Sequence, residues 1–319
     1  MRTTRPDDRQ AARGRDAATP SEIPARGLRD VAIRVKHELD DDHTVVWSAG
    51  VAFFGFLAVI PALAAVVSIM GLVTSPSQAA ARADDLFASL PTEAKELLTA
   101  QLESVAGKAD ASLSLSLLVS VLLSLWSASS GMGHLIEAVN VTYDEGNDRG
   151  WIRKKMISLA FTVGAVAFVL FALGGIAALP SILDWAGLPG WLQLVYWPLL
   201  LAGFAGGLAV LYRYAPDRDE PEWRWVSWGS VVAVGVWLLA SIGFRIYAAS
   251  FASYDESYGS LGAVVVLLLW LHLTAFAVLL GAQINAELEH QTAHDTTEGP
   301  DRPMGERDAV MADTRGESH

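Results

Sequence analysis

The sequence predicts an all-α, polytopic membrane protein, with six transmembrane helices and a short amphipathic helical cap on the extracytoplasmic side. Three observations lead there. Hydrophobic residues make up 52% of the chain and gather into runs of about 20, the length that crosses ~30 Å of hydrocarbon at ~1.5 Å per residue. The connections alternate between rich and poor in Lys and Arg. Trp47, Trp126, Trp151, Trp191, Trp225 and Trp228 lie near the ends of the runs, as an aromatic belt does.

Residues 1–26 mix Arg, Asp, Pro and Ala without periodicity and read as a disordered cytoplasmic tail. They contain no apolar run, so no cleavable signal peptide is expected and the first span stays in the mature chain. A membrane domain over 27–289 follows. Leu28, Val31, Ala32, Val35 and Leu39 repeat at helical spacing, with Arg29, Arg34 and Lys36 among them. That pattern fits a helix lying in the interface, or equally an ordinary solvated lead-in. The first span covers 45–73, and Pro61 inside it removes a backbone donor and predicts a kink. The cap, 75–108, holds two amphipathic pieces, one around Leu86, Phe87 and Leu90, the other around Leu97, Leu98 and Leu102. Pro91 suits the first turn of the second piece and Gly107 its end.

Span two covers 113–129 and passes into Ser127, Ser129, Ser130, Gly131 and Gly133, then a short amphipathic piece with Glu137 and Asn140. After a basic cluster (Arg149, Arg153, Lys154, Lys155) come spans at 156–179, 191–212, 225–249 and 261–285. Pro180, Asp184, Pro189 and Gly190 predict a tight polar turn between the third and fourth. Residues 290–319 are polar and read as a second disordered cytoplasmic tail.

Lys and Arg set the orientation. The N-terminal segment carries nine, the 130–155 loop four, the 213–227 loop three and the C-terminal tail three. Of the opposite connections, 74–112 has three and 180–190 and 250–260 have none. The excess marks the cytoplasmic side and predicts both termini inside.

Net charge of −12, without a basic face, argues against nucleic acid as a partner. Zero cysteines exclude disulfides and thiolate metal sites. No phosphate-binding glycine loop, nucleophile elbow or paired-histidine helix is present, so neither a cofactor, a metal nor catalysis is expected.

The candidate site residues are therefore polar groups at depth, which are costly unless they face protein or water. Ser127, Ser129, Ser130, Glu137 and Asn140 form a polar seam, and with Gln283 and Asn285 they would line a cytoplasm-facing cavity; the alternative is a set of interfacial residues closing span two. His272, mid-span, is either a neutral imidazole bonded to a Ser or Thr on another helix or a proton-relay group. Arg245, near the outer end of span five, either snorkels to the surface or holds an anionic group in its fork. Tyr254 and Tyr258 are belt residues or walls of that site. Glu287 and Glu289, past the apolar run, read as solvated. Gly203 and Gly207 form a small-xxx-small packing pair, within the bundle or between subunits of a homo-oligomer.

Three blocks, AGVAFFGFLAVIP over Ala49–Pro61, LWSASSGMGHLIEAVNVTY over Leu125–Tyr143, and Phe244–Glu289 ending in LLGAQINAELE, make the chain similar to the YihY/BrkB family of bacterial and archaeal inner-membrane proteins. The resemblance spans about 28–289 and implies six helices with both termini cytoplasmic. It brings an old ribonuclease BN label, which no metal-ligand cluster in these residues supports. It also implies lipid or small-molecule transport with no settled substrate. This chain departs from the family pattern in lacking a basic residue near Ser130 or Gly133, and in placing His272 where an aromatic is common.

Two functions stand against each other: a transporter or lipid-handling protein for an amphipathic or anionic molecule, with membrane lipid as partner, and a non-transporting envelope scaffold that docks through the cap.

Overall fold

The computed structural model describes residues 13–73, 115–251 and 260–318. Among these the chain is all-helical. Its long helices are α1 (Ala25–Asp41), α2 (Thr44–Val73), α3 (Leu115–Thr142), α4 (Trp151–Trp185), α5 (Gln193–Tyr214), α6 (Trp223–Phe251) and α7 (Ser260–Glu289). The one β feature among the described residues is an isolated bridge between Pro221 and Thr297. By length and composition four segments can cross a membrane: Trp151–Ile176, Gly190–Tyr214, Trp223–Tyr247 and Val264–Glu289. A fifth is added if α1 and Thr44–Val59, bent by 61° at a break, are taken together. Among the described residues, then, four to five segments are long and apolar enough to cross a membrane, beside the six predicted for the whole chain; the predicted cap, 75–108, lies outside the described residues.

Local chemistry accounts for the boundaries. Pro24, extended, leads into α1, and His43, at φ 52°, makes the break before α2. Pro61 sits inside α2, which continues to Val73. Pro180 does not end α4 as predicted; the helix runs on to Trp185, because one proline deletes a single hydrogen bond and the apolar turns on either side carry the helix through. The turn follows at Gly187, whose φ of +65° suits glycine.

The serine and glycine run that follows span two lies within one helix: α3 continues unbroken through the amphipathic piece to Thr142. Gly131 shows what the small residues do. A Cβ there would lie 2.9 Å from Ala58 Cβ and 3.1 Å from Phe54 O, so the missing side chain is where α3 crosses α2 closely.

The core sits at one end of the bundle, where α3, α5 and α7 finish and α6 starts. Ile136, Val139, Tyr143, Leu211, Tyr212, Val226 and Leu279 pack there, and Met311 enters from the C-terminal segment. A second cluster joins Ala17, Ile23, Val31 and Val35 to Trp225 and Leu288.

Both predicted tails are ordered where described. Arg15 Nη1 donates to Gln291 O at 3.2 Å, Gln291 Nε2 returns a bond to Arg13 O at 2.8 Å, and Thr292 Oγ1 donates to Ala17 O at 2.6 Å. Arg307 bridges the carbonyls of Ala293, His294 and Ala312. Polar composition misleads here because these side chains satisfy backbone carbonyls that would otherwise be bare. The two segments knit into a lid across the core end.

Burial and the Asp144 carboxylate push Asp42, at the α1–α2 break, up from 3.8 to about 7, with Glu38, Asp41 and Glu287 adding to the effect. Between those values the folded protein holds a proton that the unfolded chain has released, so stability falls as pH rises. Asp42→Asn removes this slope. Its thermal midpoint is expected to exceed that of the parent by more at about pH 8 than at about pH 5; a gap independent of pH would refute the assignment.

Candidate functional site

Polar side chains collect at the core end of α7, and their partners decide what each can do. Asn285 is fully buried. Its Oδ1 accepts from Gly229 N at 2.7 Å and its Nδ2 donates to Val226 O at 3.1 Å, so one amide clamps α6 to α7. Asn140 does the same elsewhere: Nδ2 donates to Ile136 O at 2.8 Å, and Oδ1 accepts from Asp217 N at 2.7 Å. Both amides are committed to backbone. Gln283 differs. It is fully buried, and neither end of its amide has a partner among the described residues.

Glu287 and Glu289, predicted to be solvated, are buried in ion pairs. Glu287 meets Arg34 of α1; Glu289 meets Arg218 at 2.6 Å, with both side chains 0% exposed. Thr296 Oγ1 donates to Glu289 at 3.0 Å, and the Arg218 guanidinium lies 5.0 Å from the Tyr143 ring centre. These pairs close the core end of the bundle, and with Asn140 and Asn285 they make it a bonded joint.

The seam residues part company. Glu137 is half-buried and accepts from Asn147 Nδ2 at 2.7 Å, so it serves the 143–150 loop. Ser129 is buried and donates to Trp126 O at 2.7 Å. Ser127 and Ser130, on the same helix, face outwards and are exposed. His272 has a hydroxyl partner on α2: Ser48 Oγ lies 3.2 Å from its Nδ1. The Ser48 proton goes to Val45 O at 3.0 Å, which leaves the hydroxyl oxygen to accept from the ring nitrogen. Arg245 is exposed on α6 beside Ile242 and Ile246, with no ion pair among the described residues. Tyr254 and Tyr258 lie outside those residues. The structure thus gathers Asn140, Gln283 and Asn285 at the core end and leaves Arg245, Ser127 and Ser130 on the outer surface.

Comparison with known proteins decides the family. Residues 35–305 match the family model described as virulence factor BrkB. The chain belongs to the BrkB family. Among BrkB relatives, the putative ribonuclease-like protein YfkH of Bacillus subtilis is 32% identical over 53% of this chain, and the match spans 64% of the Bacillus protein. Two UPF0761 membrane proteins, from Tolumonas auensis and Pseudoalteromonas translucida, are each 26% identical over 81% of this chain and 85% of their own length. No solved structure matches. Membership is of a membrane-protein family, and the ribonuclease word belongs to the Bacillus relative's name. Among the described residues no group of three His, Asp or Glu could hold a metal.

Sequence reasoning missed the contact that holds this BrkB chain's α6 to α7. A Cβ on Gly281 would lie 2.6 Å from both Gly229 O and Tyr212 Oη, and one on Gly229 would overlap Gly281 O. The predicted pair is less engaged: Gly203 faces Phe168 at 3.0 Å, and Gly207 has open space. The signal was present as Gly229 with Ala233 at i+4, and Ala277 with Gly281 at i+4, indistinguishable by spacing from Gly203 and Gly207.

Proposed function

We propose that this BrkB-family protein is a six-span protein of the inner membrane, both termini cytoplasmic, that handles an anionic amphiphile at its lipid-facing surface. The orientation rests on the Lys and Arg count and on one structural point. The N-terminal segment, the 143–150 and 215–222 loops and the C-terminal segment are bonded together at the same end of the bundle, which is the basic end.

The observation that carries the function is the placement of polar groups. Those inside, Asn140, Asn285, Glu287 and Glu289, are bonded to protein. Those outside, Arg245, Ser127 and Ser130, are exposed on helices otherwise bearing apolar side chains. A guanidinium there can fork onto a phosphate or carboxylate whose tail remains in lipid. A path through the middle would need the bonded joint to open.

The test is transbilayer movement of a fluorescent phosphatidylglycerol in vesicles containing the purified protein. The parent is expected to accelerate it, and Arg245→Ala to reduce that acceleration about tenfold or more, the size of one charge-assisted bond, with Arg245→Lys intermediate. Equal rates for parent and Arg245→Ala at equal reconstitution would remove the reading and leave the scaffold.

A further inference from the structure

The basic cluster before the third predicted span divides in two. Arg149 is fully engaged: it pairs with Asp217 at 2.8 Å and donates to Ala215 O at 2.7 Å. Arg153, Lys154 and Lys155 have no acidic partner among the described residues. Lys155 is held in place nonetheless. Its Nζ donates to Trp126 O at 2.9 Å, lies 3.4 Å from Ser130 Oγ, and sits 4.6 Å from the Trp126 ring centre. Trp151 packs on Trp126 edge to face, ring centres 6.1 Å apart.

We propose that Lys155, with Ser130, Trp126 and Trp151, forms a headgroup site for an anionic phospholipid of the cytoplasmic leaflet. Four properties point to that ligand. The ammonium has three N–H donors, and its contacts with α3 hold it in one geometry while leaving its charge uncompensated. Ser130 is exposed beside it, which supplies a further donor for a phosphate oxygen; Arg153, two residues earlier on α4, is turned about 200° away and adds only to the positive potential of this end. Trp151, Ile152 and Met156 are exposed at 69%, 71% and 56%, an apolar surface for glycerol and acyl chain. Lys155 stands on the second turn of α4, about 6 Å along the axis from Trp151, at the depth where tryptophan and lysine meet headgroups. A choline lipid offers the same phosphate but brings its own cation towards Lys155, so the site favours headgroups without one.

The inference does not depend on Arg245, which lies near the other end of the bundle, nor on any lipid being moved. It is tested on the full-length protein in detergent micelles, by native mass spectrometry of retained lipid and by thermal midpoint. Dioleoyl phosphatidylglycerol, dioleoyl phosphatidylcholine and glycerol 3-phosphate serve as probes. The parent is expected to retain phosphatidylglycerol over phosphatidylcholine and to be stabilised by it alone. Lys155→Gln should weaken retention about tenfold and Ser130→Ala about fivefold. Lys155 also staples α4 to α3, so a second variant stands beside it; Ser130→Ala changes an exposed side chain and carries the test if the first variant unfolds. Unchanged retention in Ser130→Ala, a Lys155→Gln midpoint lowered equally with and without phosphatidylglycerol, or stabilisation by glycerol 3-phosphate alone would each overturn the proposal.

Discussion

Arg218→Ala is expected to lose most of its folded protein on extraction into detergent. Arg218 and Glu289 are both sealed from solvent and 2.6 Å apart, so truncating the arginine leaves a carboxylate buried with only the Thr296 hydroxyl as donor. Breaking one partner of such a pair costs about 3–5 kcal/mol, a large share of the ~5–15 kcal/mol that holds a typical domain folded. Glu289→Ala should be similarly severe, since the guanidinium would keep only the Asp219 carbonyl and the Tyr143 face. The double replacement Arg218→Met/Glu289→Met separates charge from packing. Arg218 Nη1 and Glu289 Oε1 have no partner among the described residues, so the native pair is itself under-satisfied. Removing both charges should therefore cost less than removing either. Fluorescence-detected size-exclusion after a temperature series reads all three midpoints. A single variant as stable as the parent would mean the pair is hydrated.

How far the sequence reveals this arrangement varies from residue to residue. The apolar runs are legible because hydrocarbon accepts only long stretches of satisfied backbone, and among the described residues four to five segments are long and apolar enough to cross. The small residues of α3 signal a close approach but not to which helix: Ala58 and Phe54, which meet Gly131, lie more than seventy positions earlier in the chain. Glu287 and Glu289 look solvated because they follow the last apolar run, yet Arg34 lies 253 residues from Glu287, a separation no local pattern encodes. The candidate set split for the same reason. Spacing places Ser127, Ser129 and Ser130 on one helix, but which of them faces lipid depends on the neighbour the helix meets. Resemblance to a family transmitted the fold and left the activity to the site.

Gly229→Ala tests the joint on which the core end depends. The added methyl would overlap Gly281 O and sit 2.6 Å from Asn285 Cγ and Oδ1; neither a helix carbonyl nor an amide bonded at both ends can swing away cheaply. The helices must separate by some tenths of an ångström, which strains the bonds from Asn285 to Gly229 N and Val226 O. Overpacking of this kind costs about 1–3 kcal/mol, and a buried amide left unpaired adds about 1–3 kcal/mol. The thermal midpoint should fall sharply, and Asn285→Ala in the same background should add little, because both changes break one contact. Gly207→Ala is the matched comparison: its methyl would enter open space, and alanine is the better helix former by about 1 kcal/mol, so that variant should equal or exceed the parent. If the two glycine variants behave alike, the α6–α7 crossing is looser than these distances describe, and Asn285 would be free to line a path through the bundle.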